Sequence, residues 1–253
     1  MSIKQMISDA KVMIGSNYIS LLLYTFIFLA VSYTIKLIPA YIPMPIVGLI
    51  IALIILIFSV PFAIAYRILI LQVIRGDKAN PATMFKETIS QFKNAWEITL
   101  YTVFVKLLFV PLILFICGAG YILYMSYQYS SGNIADVANY GGPMLLAYIA
   151  FIAGFVWLII LLLRYSLTYY IKYDNNDESM KDVFASSKEL MNGSKLSYGF
   201  VVLVVVLLAI LIETLTGKFT TNQNVIEAVS MCYTLIVTPF ISVLPVTIYE
   251  EKK

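Results

Sequence analysis

Histidine is absent from this sequence, which removes the commonest general base and the commonest metal ligand together. Cysteine is nearly absent: Cys117 and Cys232 both lie in apolar stretches, so neither a disulfide framework nor a thiolate metal site is indicated. Charge is scarce too, at 12% of the 253 residues, where a soluble domain carries about a quarter. The sequence offers no paired intramembrane carboxylates and no nucleophile beside a base. The expectation is therefore a protein that is not an enzyme and holds no metal or cofactor. What is present is apolar, with 61% hydrophobic residues and a mean hydropathy of +0.89. Lipid can solvate such a surface; water cannot.

Six stretches are long enough to cross a bilayer, which takes about 20 apolar residues. They are Tyr18–Leu37, Ile46–Ile74, Trp96–Tyr127, Met144–Lys172, Tyr198–Thr216 and Val225–Tyr249. Pro111 and the run Gly118-Ala119-Gly120 are expected to kink or loosen the third. The first does not read as a cleaved leader, because Asp9 lies in its flank and Lys36-Leu37-Ile38-Pro39 closes it without a cleavage site. It is expected to stay in the mature protein.

Basic residues orient the spans. Lys4, Lys11, Arg75, Lys78, Lys86 and Lys93 flank one side, joined there by Lys172, Lys181, Lys188, Lys195, Lys252 and Lys253; the other side has only Lys36 and Lys218. The positive-inside rule then puts both termini and the two middle connections in the cytoplasm. The outer connections are Ile38–Pro45, Gln128–Pro143 and Gly217–Asn224.

Three polar preludes precede pairs of spans, and each reads as an amphipathic helix on the cytoplasmic surface. In the first, Ser2 is placed to cap, Ile3, Met6, Ile7, Ala10 and Ile14 share a face, and Gly15 follows. In the second, Asn80 caps, Pro81 suits the first turn, and Met84, Phe85, Ile89, Phe92 and Trp96 share a face. In the third, Ser179 and Asp182 form a capping box, Met180, Val183, Phe184, Ser187 and Met191 share a face, and Gly193 ends the helix. Such helices are expected to lay their apolar face in the headgroup boundary. The fold class is thus all-α: a polytopic membrane protein with six transmembrane helices as three hairpins, each behind a cytoplasmic amphipathic helix. It forms one domain over residues 1–253 with pseudo-repeats at about 1–75, 76–173 and 174–253, in which Gly15, Asn94 and Gly193 fall at equivalent hinge points. The repeats share one topology, as in some small transporters.

The stretch Asp174-Asn175-Asn176-Asp177-Glu178-Ser179, with Ser187-Lys188-Glu189-Leu190-Met191-Asn192-Gly193-Ser194-Lys195, resembles the signature of the bacterial integral membrane family called domain of unknown function 975. Tyr165-Ser166 and the turn Arg75-Gly76-Asp77 fit it as well. The motif-level likeness covers roughly Arg164 to Lys195. It departs at Asn176, where Pro is usual, at Ile159-Ile160, which replace a Pro-Gly, and at Leu196, which replaces an aromatic. The resemblance implies a six-helix protein of the bacterial plasma membrane and supplies no activity.

Arg67, Lys106 and Arg164 lie within spans, each about eight to ten residues from the cytoplasmic end, or about 12–15 Å deep. Tyr66, Tyr101 and Tyr165 lie beside them in sequence, and together these six are the candidate anion- or lipid-binding residues. The plainer alternative is that each cation snorkels to lipid phosphate. Near the outer ends of the last two spans, Glu213 and Glu227 flank the last outer connection, as partners for Lys218 or simply as hydrated groups rather than parts of a proton relay.

These features suggest a non-enzymatic accessory, scaffold or protective component that acts through its cytoplasmic-face helices. Its expected partners are membrane lipids with anionic headgroups and a protein at that face, with no nucleic acid. The competing reading is a small transporter or lipid-handling protein that binds an anionic amphiphile in a cytoplasm-side cavity near Arg67 and Arg164. The charge asymmetry makes a direct prediction. A fluorescent protein fused after Lys253 should be bright, and alkaline phosphatase inserted within 217–224 should be active. The reverse pattern would invert the topology.

Overall fold

The structure, a computed structural model, describes residues 1–38, 45–77, 80–106, 108–130 and 141–253. Most of the two longer outer connections, 38–45 and 128–143, and Lys78 lie outside the described residues. The described chain is all-helical, 89% helix with no strand. The helices are α1 (Ile3–Leu37), α2 (Pro45–Ile74), α3 (Pro81–Ser90), α4 (Phe92–Leu100), α5 (Phe109–Ser130), α6 (Gly141–Arg164), α7 (Thr168–Asp174), α8 (Met180–Leu190), α9 (Lys195–Phe219) and α10 (Gln223–Lys252). Six stretches are long and apolar enough to cross a membrane: Ile3–Ile35, Ile50–Ile74, Phe109–Gln128, Gly142–Asp174, Lys195–Phe219 and Val225–Lys252.

Helix starts follow the capping chemistry of the sequence. Ser2 accepts from the Gln5 amide, Asn80 and Thr83 cap each other's backbone with Pro81 following, and Ser179 accepts from the Asp182 amide. Several boundaries differ from the expected ones. The first prelude is no separate helix; it runs into the first span as one 35-residue helix. A lone Gly15 costs a helix only about 1 kcal/mol, too little to interrupt a continuous hydrogen-bond ladder. Asn94 likewise lies inside α4, and among the three aligned hinge positions only Gly193, with φ 77°, closes a helix. The third span begins at Phe109 rather than near Trp96, because Tyr101–Val105 forms a π-helical turn ahead of it. Pro111 then falls in the first turn of α5, where its missing N–H costs nothing. The fourth span is interrupted by a turn at Tyr165–Leu167 between α6 and α7.

The chain forms two compact units, Met1–Glu97 with Ser166–Lys253, and Ile98–Tyr165. Inside the first unit α1 and α2 pack with α9 and α10. The core of that unit sits toward the ends of its helices that carry the basic flanks. Met6, Ala10, Leu69, Met84, Tyr170, Val183, Met191, Leu244 and Tyr249 are all buried there. The apolar face of α8 is spent on this protein core, with Val183, Phe184, Ser187 and Met191 at most 1% exposed. In α3 the inward residues are Met84 and Thr88, while Phe85 and Ile89 point outward.

In the second unit α5 and α6 run antiparallel at very close range. A Cβ on Gly118 would stand 2.7 Å from the Phe151 nitrogen, and one on Gly154 would stand 2.6 Å from the Phe115 nitrogen. Gly118 therefore serves backbone contact, and α5 continues unbroken through the glycine run. Phe115 stacks on Phe151 with ring centroids 4.8 Å apart. Gly118→Ala and Gly154→Ala should each destabilise this pair by about 1–3 kcal/mol. Gly120→Ala, with open space around it, should gain about 0.5–1 kcal/mol. Unfolding of the purified protein in mixed micelles measures the difference; equal midpoints for all three variants would contradict the close approach.

Candidate functional site

The six residues singled out by sequence separate into distinct surroundings. Arg67 belongs to the first unit and Arg164 to the second. On α2, residues Ile64 to Leu71 are buried except Arg67, which is exposed. Its guanidinium carbon lies 5.5 Å from the centroid of the Tyr169 ring, and it makes no hydrogen bond or ion pair among the described residues. Tyr66 faces elsewhere: its hydroxyl shares a 2.7 Å hydrogen bond with Thr25 Oγ1 and another with Ser242, and its ring stacks on Phe28 at 4.3 Å.

Lys106, Tyr101 and Tyr165 do come together, within the second unit. The ammonium lies 5.4 Å from the Tyr101 ring centroid and 5.8 Å from that of Tyr165. Lys106 ends the π-helical turn, its amide bonding to the Tyr101 carbonyl, and Arg164 sits in the last turn of α6. Both cations thus stand at helix C-termini, where the macrodipole favours positive charge.

The most elaborate polar arrangement was not anticipated from the sequence. Asp174 accepts from Arg75 Nη1 at 2.8 Å and Nη2 at 2.7 Å, from the Tyr249 hydroxyl at 2.7 Å and from Lys253 Nζ at 2.6 Å. Arg75 also donates to Glu250 Oε1 through Nε at 2.9 Å and Nη2 at 2.6 Å. The bonds to Asp174, outweighing the opposing effect of burial, hold the Arg75 pKa above its ordinary value. Around this hub, Lys172 Nζ closes the α7–α8 connection by donating to the carbonyls of Asn176 (2.6 Å) and Glu178 (2.8 Å). Lys252 Nζ caps the end of α8 through the carbonyls of Leu190 (2.8 Å) and Asn192 (2.7 Å). Gln5 donates to Glu251 at 2.7 Å, and Gln72 to Tyr173 at 2.7 Å. Lys172, Lys252 and Lys253 entered the sequence reading only as topological charges, and Arg75 as one of these and as part of the Arg75-Gly76-Asp77 turn. The available signal was an acid, Asp174 or Glu250, at the same helix ends.

Three grooves of the first unit bear on the cavity expectation. The largest, about 850 Å³, is lined almost wholly by apolar residues of α1, α2 and α3, among them Phe28, Phe62 and Phe85. One of about 490 Å³ opens beside Glu189, Lys252 and Lys253, and one of about 400 Å³ beside Tyr33 and Glu227. Arg67 lines none of the three. Among the described residues no three His, Cys, Asp or Glu side chains converge as a metal site. In comparisons with known proteins, no family model, no curated protein and no solved structure matches the chain.

The Asp174 hub predicts a specific loss. Asp174→Asn should destabilise the protein by about 2–3 kcal/mol, below the value for a fully buried pair because Arg75 is 26% exposed at its side chain. Glu250→Gln, which leaves the bidentate Arg75–Asp174 pair intact, should cost about 1 kcal/mol or less. Thermal unfolding in detergent checks the ranking.

Proposed function

We propose that this protein is a non-enzymatic accessory or scaffold component of a bacterial plasma membrane, presenting its charged end to the cytoplasm. In this reading the six apolar helices cross the bilayer with both termini inside, and the likeness to the domain of unknown function 975 family indicates the bacterial setting. The observation that carries it is how the charges at that end are divided. One set is locked internally: Arg75, Asp174, Glu250, Lys252 and Lys253 bind one another or cap helix ends, which makes a rigid base. A second set, Lys4, Lys11, Lys86, Lys181 and Lys188, is exposed and makes no ion pair among the described residues. A rigid base with a ring of unpaired lysines suits anionic headgroups and an acidic partner protein, each Lys near an anionic surface adding about 1 kcal/mol of attraction.

A photo-crosslinking amino acid placed at Lys86, Lys181 or Lys188 in living cells should trap discrete protein adducts. The same probe at Thr221, in the last outer connection, should not. Adducts at Thr221 alone would move the working face to the other side of the membrane.

A further inference from the structure

Away from the Asp174 hub, the first unit opens into two grooves that meet on α1. The larger, about 850 Å³, is walled by residues between Phe28 and Ile38 of α1 and between Ala52 and Ala63 of α2. That is about 15–16 Å along each helix, in the parts of the two spans remote from the hub. Three rings close its inner end, with the Phe28 centroid 5.4 Å and the Phe85 centroid 5.9 Å from that of Phe62. A bilayer core about 30 Å thick gives each leaflet about 15 Å of hydrocarbon, so the groove is as long as one lipid tail. A further helix, 10–12 Å across, would need about 1,300–1,800 Å³ over that length, more than the groove encloses.

The smaller groove, about 400 Å³, has a different chemistry. Ser32 and Tyr33 of α1 line it together with Glu227, Ser230 and Thr234 of α10, and Leu29 and Ser32 line both grooves. Glu227, Ser230 and Thr234 stand at i, i+3 and i+7, on one face of α10, and descend about 10 Å into an apolar span. Glu227 accepts from Gln223 at 3.3 Å, and its expected partner Lys218 makes no ion pair among the described residues. The Ser32, Tyr33 and Ser230 hydroxyls make no hydrogen bond among those residues, and Thr234 Oγ1 spends its proton on the Ser230 carbonyl at 2.8 Å. Polar groups descending into hydrocarbon are costly unless something pairs with them. The complement of this group is a positively charged donor, because a carboxylate only accepts and each hydroxyl oxygen has lone pairs to offer.

We propose that the two grooves together bind one phospholipid with a primary-ammonium headgroup, its tail between α1 and α2 and its ammonium at Glu227. An ammonium brings three N–H donors to the carboxylate and the hydroxyls, and the Tyr33 ring offers a face to its charge. A trimethylated headgroup carries the charge without the donors and fits less well. The site lies at the opposite end of the unit from the exposed lysines. It goes beyond the scaffold reading, and neither depends on the other.

The test uses the full chain purified in uncharged detergent, in mixed micelles with phosphatidylethanolamine or phosphatidylcholine of identical tails. Native mass spectrometry counts retained lipid, and thermal unfolding shows that each variant is folded. Wild type should retain phosphatidylethanolamine over phosphatidylcholine. Glu227→Gln should reduce that preference about tenfold, the loss of one hydrogen bond to a charged group, and Glu227→Asp should keep part of it. Ser59→Trp and Ala52→Trp, which fill the tail groove from two exposed positions on α2, should lower retention of both lipids alike. Equal retention of the two lipids by wild type, or a preference that Glu227→Gln leaves intact, overturns the proposal. So does wild-type retention in both tryptophan variants. A dimer that the tryptophans separate, with no lipid bound, would put a second copy in the groove and overturn it too.

Discussion

In the first unit, the ends of α2, α7 and α10 meet at one carboxylate, Asp174, and the surrounding chemistry keeps that charge satisfied. The carboxylate side chain is only 10% exposed, and water alone cannot solvate it there. Arg75 supplies a fork, Tyr249 a hydroxyl and Lys253 an ammonium, so that residues from three separated parts of the chain are held within hydrogen-bond distance. Apolar packing in lipid has no preference for one helix neighbour over another, because lipid tails are as apolar as leucine. Directional bonds to a desolvated charge do have that preference, and they fix which helix ends adjoin.

The same need to satisfy polar groups explains the short helices. The chain between α7 and α8 turns sharply, and the two carbonyls it frees there are taken by Lys172, which is 7% exposed. The α8 C-terminus is closed by Lys252 and by the left-handed Gly193. Lys172 and Lys252, which by composition are only flanking charges, are in space caps for backbone carbonyls. Lys4, Lys11, Lys86, Lys181 and Lys188 stay exposed.

The second unit relies on a different interaction. Gly118 and Gly154 remove side chains where α5 and α6 cross, and dispersion between closely opposed backbones and stacked Phe115 and Phe151 replaces polar bonding. Its cations, Lys106 and Arg164, stand at helix interruptions, where the helix macrodipole favours positive charge.

The sequence by itself determined the class of protein, the six apolar helices and three helix starts, because these depend on local composition and on capping residues within a turn of the backbone they cap. It also showed which residues of α8 share a face. Whether that face met lipid or protein was a tertiary matter, and Val183, Phe184 and Met191 went to the core. Pairings across 99 residues, such as Arg75 with Asp174, leave no local trace. The surroundings of Arg67 show why proximity in sequence misleads. Successive helical residues do not face each other, so Tyr66 turned to Thr25 on α1, while Tyr169, about a hundred positions away, came to lie under the guanidinium. Only the packing of one helix against another decides which side chains become neighbours, because each helix presents a whole circumference and the sequence does not say which sector another will cover.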